Sequence, residues 1–187
     1  MIEVKISGRG GQGVVLASQI LAAAFFKGGM WVQAFPSFGA ERRGAPVSAF
    51  VRADGQEMTL RCGVYCPDWI LLLDPHLLED PASFSGLKEK GSLLVNCRGL
   101  SKEVRRPAQS RVFVVDAGAI SHQLRLGNPS FPIVNTAMAG AFARASGLIS
   151  LAQVVAAIEG AVPVEKERNA DSARQAYENV KEVSAGS

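Results

Sequence analysis

The chain has 187 residues, a length that fits one domain around a single hydrophobic core. Hydrophobic residues make up 48% of it, charged residues 20% and aromatic residues 7%, which is typical of a globular α/β protein and excludes a disordered or disulfide-stabilised chain. The net charge is +3 and the basic residues are scattered, so nucleic acid is not an expected partner. We therefore predict one domain spanning residues 1–187.

The hydropathy pattern predicts no contact with a membrane. The apolar stretch from Val14 to Phe26 is interrupted by Ser18 and Gln19, and it falls short of the roughly 20 residues that cross a bilayer. The segment that starts at Met1 has no apolar core preceded by cationic residues, as a secretory signal would. A cytoplasmic location is therefore expected.

The cysteines and histidines form no recognisable metal or catalytic motif. Cys62, Cys66 and Cys97 provide neither paired CxxC ligands nor the four thiolates of an iron–sulfur cluster. We expect all three to be reduced, partly buried thiols. His76 and His122 have no serine, cysteine or metal-ligand partner nearby in the sequence, so we assign them structural roles and predict no catalytic residue and no metal site.

The first part of the chain is predicted to open with a strand, a glycine loop and a helix. Ile2 to Ile6 is β-prone, and Val14 to Phe26 has the composition of an Ala-rich helix. Further strands are predicted at Met30 to Phe35, Val47 to Arg52 and Glu57 to Arg61. The last two flank Asp54-Gly55, which favours a tight turn, so we predict an antiparallel hairpin there.

Buried strands and helices alternate in the rest of the chain. The predicted strands are Trp69 to Asp74, Ser92 to Asn96 and Val112 to Asp116. The predicted helices are Ala119 to Leu126, Pro132 to Ala145, Leu151 to Ile158 and Glu165 to Val183. Ser150 and Gln153 form a capping box for one of them. This alternation predicts an α/β fold, a three-layer α/β/α Rossmann-like sandwich with a mainly parallel sheet and an antiparallel hairpin.

The loop between the first strand and the first helix carries a dinucleotide-type glycine pattern. Gly8, Gly10 and Gly13 match GxGxxG in the required context, and such a loop lets backbone N–H groups and the helix dipole face an anion. A NAD site also needs an acidic residue near the end of the second strand, but residues 31–36 read WVQAFP. Two interpretations stay open: the glycines permit a tight turn and nothing more, or the loop contacts a phosphate-bearing cofactor or substrate from an adjacent subunit.

Four segments of the chain occur in an order that is found in one protein family. They are Gly8-Arg9-Gly10-Gly11-Gln12-Gly13, residues 37–47 (SFGAERRGAPV), Pro67-Asp68-Trp69 through Asp74, and residues 135–141 (NTAMAGA). Together they resemble the gamma subunit or domain of the pyruvate and related 2-oxoacid:ferredoxin oxidoreductases. The resemblance runs from about Met1 to Asn169, and it departs at Ala45, where many relatives have glycine.

The resemblance implies one subunit of a larger enzyme. In that family, thiamine diphosphate with Mg²⁺ is held by alpha and beta subunits, and electrons leave through [4Fe-4S] clusters on a ferredoxin-like delta subunit. The complex converts a 2-oxoacid and coenzyme A to acyl-CoA and CO2, with ferredoxin or a similar protein as acceptor. This chain lacks a GDG-type thiamine segment and cluster cysteines, so we expect a scaffold that helps to seat coenzyme A. The alternative is a free-standing NAD-binding Rossmann oxidoreductase.

The candidate cofactor-binding residues are Gly8, Gly10, Gly11, Gln12, Gly13, Arg42, Arg43 and Asn135. The two arginines either clamp a phosphate or carboxylate or form an ion pair with Glu41. Gln12 binds either a ligand or the loop backbone. Asn135 and Thr136 begin a predicted helix, where an N-cap or first-turn role is the expectation and a contact to bound cofactor the functional alternative.

Asp74 and Asp116 each close a predicted strand at the carboxyl edge of the sheet, the edge where open α/β sheets bind ligands. We expect both to serve as turn or cap carboxylates. The central hypothesis is that the Gly8 to Gly13 turn and the Arg42-Arg43 loop meet at this edge and face a neighbouring chain.

Overall fold

The computed structural model describes residues 1–37, 47–60, 62–100, 109–128 and 131–183. Within these ranges lie nine strands, five α-helices and two 3₁₀-helices, Pro75–Glu79 and Pro81–Phe84. The strands are β1 (Ile2–Gly8), β2 (Trp31–Ser37), β3 (Val47–Asp54), β4 (Trp69–Leu72), β5 (Ser92–Asn96), β6 (Arg111–Val115), β7 (Gly127–Asn128), β8 (Phe131–Pro132) and β9 (Lys181–Val183). The α-helices are α1 (Val14–Lys27), α2 (Ala117–Gln123), α3 (Asn135–Ser146), α4 (Leu151–Ala161) and α5 (Lys166–Asn179).

Seven of these strands form one mixed sheet in the order β2-β3-β1-β4-β5-β6-β9. β1, β4, β5 and β6 run parallel to one another. β3 lies antiparallel between β1 and β2, and β9 is antiparallel to β6. β2 therefore shares the direction of β1, and most strands of the sheet point the same way, which confirms the predicted α/β class.

The predicted hairpin across Asp54-Gly55 is wrong. Residues 57–60 form no strand, and Arg61 lies outside the described residues. The reason is that β3 is already paired on both edges, with β1 on one side and β2 on the other, so no edge is left for a third strand. The antiparallel pair in this part of the sheet is β2 with β3.

All five α-helices contribute to one large apolar cluster on a single face of the sheet. Trp69 of β4 stacks on Phe113 of β6 with 5.6 Å between ring centroids, and it meets Phe142 of α3 edge-on at 5.2 Å. α3 crosses α5 so closely at Gly140 that a Cβ atom there would lie 2.6 Å from the Cα atom of Ala173. The crossing therefore requires a residue without a side chain.

The opposite face of the sheet carries a second apolar cluster, which the two 3₁₀-helices cover through Leu77 and Phe84. Each 3₁₀-helix follows an aspartate whose carboxylate accepts a hydrogen bond from the backbone two residues on. Asp74 accepts from the His76 N–H at 3.0 Å, and Asp80 accepts from the Ala82 N–H at 2.9 Å. In the described part of the chain, the third layer is thus made of short 3₁₀-helices.

A buried ion pair on this second face fastens the loop after β3 to the sheet. Arg52 is only 1% exposed, and its Nε donates to Glu3 Oε1 at 3.0 Å. One terminal nitrogen donates to Gln33 Oε1 at 3.1 Å, and the other donates to the carbonyl oxygens of Cys62 and Gly63, each at 3.3 Å. A single guanidinium therefore holds β1, β2, β3 and the loop together.

The C-terminal part of the chain differs from the prediction of one long helix over Glu165 to Val183. α5 ends at Asn179, and Lys181–Val183 forms β9, which pairs with the outer edge of β6. Arg111 of β6 donates hydrogen bonds of 2.9 and 3.0 Å to the two carboxylate oxygens of Glu182. Pairing of the open β6 edge is thus favoured over about one further turn of helix.

Two other predicted helices are shifted. α3 begins at Asn135 and not at Pro132, because residues 131–132 pair with residues 127–128 as a short ribbon. α2 begins at Ala117, where Asp116 caps it by accepting from the Ala119 N–H at 2.9 Å. The predicted capping box is confirmed, since Ser150 Oγ accepts from the Gln153 N–H at 3.2 Å and Gln153 Oε1 accepts from the Ser150 N–H at 2.7 Å.

Ser150→Ala is expected to lower the free energy of unfolding by about 1 kcal/mol, because the variant leaves one N–H of the first turn of α4 without its acceptor. Urea unfolding of the full chain measures this change. Ser150→Asn, which can still accept from the backbone, should lose less than half as much. Equal losses in the two variants would contradict a capping role.

Candidate functional site

The sheet changes its winding direction between β1 and β4. From β1 the chain crosses through α1 on the helical face, whereas from β4 it crosses through the 3₁₀-helices on the opposite face. At such a point the two crossovers separate and leave a crevice at the carboxyl ends of the strands, where α/β proteins bind ligands. We call the residues at this position, Gly8–Gly13, Asp74 and Asn135, the switch-point site.

The glycine loop forms a tight turn that its own residues stabilise. Gln12 Oε1 accepts from the Arg9 N–H at 2.8 Å, and the Gln12 N–H donates to the Arg9 carbonyl at 3.2 Å. Gly11 and Gly13 have φ angles of 95° and 81°, which side-chain-bearing residues rarely adopt. Gln12 thus forms hydrogen bonds with the loop backbone, which is one of its two predicted roles. An added Cβ atom at Gly10 would meet no atom within 4 Å. The outer side of the turn is accessible.

Two helix N-termini meet at this site, and the N-cap residue of neither helix, Gly13 or Val134, supplies a capping side chain. α1 starts after Gly13 and α3 starts after Val134, without a capping side chain and without an acidic residue in the first turn. α2 and α4, by contrast, are capped by Asp116 and Ser150. Uncapped N–H groups and the positive end of the helix dipole favour an anion.

Asn135 joins the glycine loop to α3. It is 1% exposed, and its Oδ1 accepts from the Thr136 N–H at 2.8 Å, so it takes the expected first-turn position. Its amide nitrogen lies so close to the loop that a Cβ at Gly13 would be 2.5 Å from it. No described residue accepts a hydrogen bond from this nitrogen. The structure therefore brings together Asn135 and the glycine loop, two of the candidate cofactor-binding segments.

Thr136 fixes the orientation of α3 at the same end. Its hydroxyl donates to Asn169 Oδ1 at 3.2 Å in a buried contact. Asn169 in turn donates to the carbonyl of Glu165 at 3.1 Å. These hydrogen bonds hold the N-terminus of α3 against α5, and they therefore fix the position of the neighbouring Asn135.

The structure adds Arg9 to the candidate residues. Its Nε forms an ion pair with Asp74 Oδ2, and the Asp74 residue is 3% exposed. The other carboxylate oxygen of Asp74 accepts from the His76 N–H, so the predicted capping role is confirmed and extended. The sequence does show an arginine inside the glycine loop. Its pairing with Asp74 could not be predicted, because that pairing depends on the order of the strands in the sheet.

A second ion pair lies farther along the same edge. Asp116 caps α2 as predicted, and its other oxygen pairs with Arg98 Nε at 2.8 Å. Asn96 at the end of β5 donates to the Leu73 carbonyl at 2.9 Å and accepts from the Gly118 N–H at 3.1 Å. These contacts tie three strand ends together beside the switch-point site.

Arg42 and Arg43 lie outside the described residues, so their proposed contacts stay predictions. The strands on either side of the segment are described. β2 ends at Ser37, and Val47 at the start of β3 pairs with Gly8 of β1. Both ends of the segment therefore emerge at the carboxyl edge, beside the glycine loop.

The expectation of partly buried thiols is wrong for two of the three cysteines. Cys62 and Cys66 are exposed, because they lie on the surface loop between β3 and β4, and Cys97 is half-buried. Burial raises the pKa of the Cys97 thiol above its usual value. Among the residues that the structure describes, no group of three or more histidine, cysteine or acidic side chains could hold a metal ion, and no helix is long and apolar enough to cross a membrane.

The strand order argues against a NAD site of the usual kind. In a dinucleotide-binding Rossmann fold, the second strand lies beside the first and presents an acidic residue to the ribose. Here β3 separates β2 from β1, and β2 contains no acidic residue. The free-standing NAD-binding oxidoreductase is therefore not favoured.

Comparisons with known proteins agree with the fold and with the family that the sequence resembles. The family model for pyruvate ferredoxin/flavodoxin oxidoreductase matches residues 3–179. Pyruvate synthase subunit PorC of Methanothermobacter marburgensis is 43% identical over 182 residues, covering 97% of this chain and 98% of the relative. The pyruvate/ketoisovalerate oxidoreductases common subunit gamma of Pyrococcus furiosus is 44% identical, covering 95% and 96%.

Solved structures show the same architecture. Pyruvate oxidoreductase subunit PORC of Thermotoga maritima superimposes with a TM-score of 0.81 at 38% identity, covering 97% of each chain. The 2-oxoglutarate:ferredoxin oxidoreductase of Magnetococcus marinus contains the fold within a longer chain, with a TM-score of 0.71 at 17% identity, covering 95% of this chain and 30% of that one. The chain belongs to the pyruvate ferredoxin/flavodoxin oxidoreductase family and is a gamma-type subunit of a 2-oxoacid:ferredoxin oxidoreductase.

Proposed function

We propose that this chain is the gamma subunit of a thiamine diphosphate-dependent complex that oxidatively decarboxylates a 2-oxoacid with coenzyme A. The products are acyl-CoA and CO2, and the electrons pass to ferredoxin or a similar acceptor. The observation that carries the proposal is the match over almost the full length of both chains to proteins named as single subunits. All of residues 1–187 act as one gamma-type domain in this assignment.

The reaction centres belong to other subunits in this proposal. Thiamine diphosphate with Mg²⁺ supplies the carbanion chemistry from the alpha and beta subunits, and a ferredoxin-like delta subunit carries the [4Fe-4S] clusters. Three cysteines cannot provide the four thiolates of such a cluster, so this chain does not carry one by itself. Its own contribution is to hold the assembly together and to seat coenzyme A in the cytoplasmic enzyme.

The switch-point site fits a phosphate-bearing ligand. Two uncapped helix N-termini point toward it, and the outer side of the turn is open above Gly10 and Gly11. Asn135 offers an amide nitrogen that no described residue uses. We infer that Gly8, Gly10, Gly11, Gln12, Gly13 and Asn135, together with Arg42 and Arg43, contact the phosphate groups of coenzyme A, either directly or by shaping the loop.

Purification from the native host tests the assembly. The chain should be recovered with a thiamine-binding partner, and the complex should reduce a viologen dye when both coenzyme A and a 2-oxoacid are present. A panel of pyruvate, 2-oxoglutarate, a branched-chain and an aryl 2-oxoacid identifies the substrate. Recovery of the chain alone, or stoichiometric binding of NAD(H) by the isolated chain, would refute the subunit assignment.

Gly13→Ala in the purified complex is expected to raise the KM for coenzyme A by about tenfold, since the new Cβ displaces the Asn135 amide and strains a backbone at φ 81°. The KM for the 2-oxoacid should not change. Steady-state kinetics at varied coenzyme A measures both values.

Gly29→Ala is the matched control. Gly29 follows the other end of α1, has a φ of 83°, and has nothing within 4 Å of an added Cβ. It therefore brings the same backbone strain without touching the site. An equal rise in KM in both variants would mean that strain, and not the contact with Asn135, is responsible.

A further inference from the structure

Arg9 forms its ion pair in a way that leaves most of its guanidinium available. The contact with Asp74 uses Nε, and no described residue accepts a hydrogen bond from the two terminal nitrogens. The side chain is 54% exposed, although its partner carboxylate is almost fully buried. The guanidinium is thus held in place through Nε, while no described residue uses its two terminal nitrogens.

The buried carboxylate acts as a fixed support for this arginine. Both oxygens of Asp74 are engaged, one by Arg9 and the other by the His76 N–H. Asp74 lies two residues after the central strand β4, which pairs with β1, and it caps the 3₁₀-helix Pro75–Glu79, so its position is set by both elements. The pair reduces the entropy that Arg9 would lose on binding, because the side chain is already ordered.

Arg9 lies at the same carboxyl edge of the sheet as the N-termini of α1 and α3. Arg9 stands between Gly8 and Gly10 in the turn that leads into α1. Two terminal guanidinium nitrogens match two oxygens of a phosphate in planar, bidentate geometry. A dinucleotide-type turn places a diphosphate at the helix N-terminus. The arrangement therefore suits a diphosphate bridging the turn and the arginine.

We propose that the terminal nitrogens of Arg9 bind the diphosphate of coenzyme A and that Asp74 is a positioning residue for Arg9. The inference rests on the proposed function, because it assumes that coenzyme A reaches this site. It assigns roles to two residues that the glycine pattern alone does not identify. The inference assigns Arg9 to the diphosphate and not to the 3′-phosphate.

Arg9→Gln in the purified complex is expected to raise the KM for coenzyme A by about tenfold, with kcat and the KM for the 2-oxoacid unchanged. Dephospho-coenzyme A, which keeps the diphosphate but lacks the 3′-phosphate, should show the same rise. Arg98→Gln is the control, because Arg98 pairs with Asp116 through the same atom at a neighbouring strand end. It should leave both KM values unchanged.

Asp74→Asn keeps the acceptor for the His76 N–H and removes the ion pair. It is expected to raise the KM for coenzyme A about threefold alone and to add nothing in the Arg9→Gln background. A purely structural role would give additive effects in this cycle and would refute the positioning role.

Two outcomes overturn the Arg9 assignment: an unchanged KM in Arg9→Gln, or a rise that disappears with dephospho-coenzyme A. If Gly13→Ala still raises the KM while Arg9→Gln does not, this inference fails and the proposed function stands. If wild-type turnover is independent of coenzyme A, the proposed function fails as well.

Discussion

Arg52→Met is expected to lower the free energy of unfolding by about 4 kcal/mol, the largest effect of any single substitution considered for this chain. The variant leaves the Glu3 carboxylate, whose side chain is only 11% exposed, without its donor, and it removes the donor to the Gln33 amide oxygen and two loop carbonyls. Unfolding of the full chain in urea, monitored by circular dichroism, measures the loss.

Two further variants separate the buried charge from simple loss of a side chain. Glu3→Gln added to Arg52→Met should recover part of the stability, since it removes the unpaired carboxylate. Glu182→Gln breaks the exposed pair with Arg111 and should cost less than about 1 kcal/mol. A loss in Arg52→Met no larger than that of Glu182→Gln would show that the buried pair contributes no more than a surface one.

Gly140→Ala is expected to lower the free energy of unfolding by about 3 kcal/mol, because the added Cβ overlaps the backbone of Ala173 and forces α3 and α5 apart. The neighbour is backbone within a helix, so a side-chain rotation cannot relieve the overlap. Thermal and urea unfolding of the full chain should both report the change.

Gly160→Ala provides the opposite result with the same chemical change. Gly160 lies in α4, and an added Cβ there meets nothing within 4 Å. This variant should be more stable than the wild type by up to about 1 kcal/mol, since alanine is the better helix former. A destabilised Gly160→Ala, or a neutral Gly140→Ala, would contradict the packing described for the helical layer.

The sequence predicted those parts of the fold that depend on neighbouring residues. The apolar run at residues 69–72 and the Ser150–Gln153 capping box carry their own signals, because burial and cap hydrogen bonds act over a few residues. Strand pairing depends on contacts between residues that are far apart in the sequence, so local patterns do not predict it. The insertion of β3 between β1 and β2 removed the predicted hairpin, and the free edge of β6 converted the end of the last predicted helix into a strand.

The candidate site likewise has features that local sequence predicts and features that depend on which strands are neighbours. The glycine loop was recognisable because its spacing and its place between a strand and a helix are local features. Its contact with Asn135 was not predicted, because the sequence named both only as candidate cofactor-binding residues. The Arg9–Asp74 pair could not be predicted, because it requires knowing that β1 and β4 are neighbours and that their carboxyl ends coincide.

The short strand β9 has a consequence for biosynthesis. Because residues 181–183 supply the partner for β6, a ribosome-bound chain leaves the backbone of Val112–Val114 without this neighbour until residues 181–183 have emerged. Unpaired strand edges recruit strands from other molecules and promote aggregation. The nascent polypeptide is consequently vulnerable from the emergence of β6 until the emergence of β9, and the pairing of β9 with β6 ends that vulnerability.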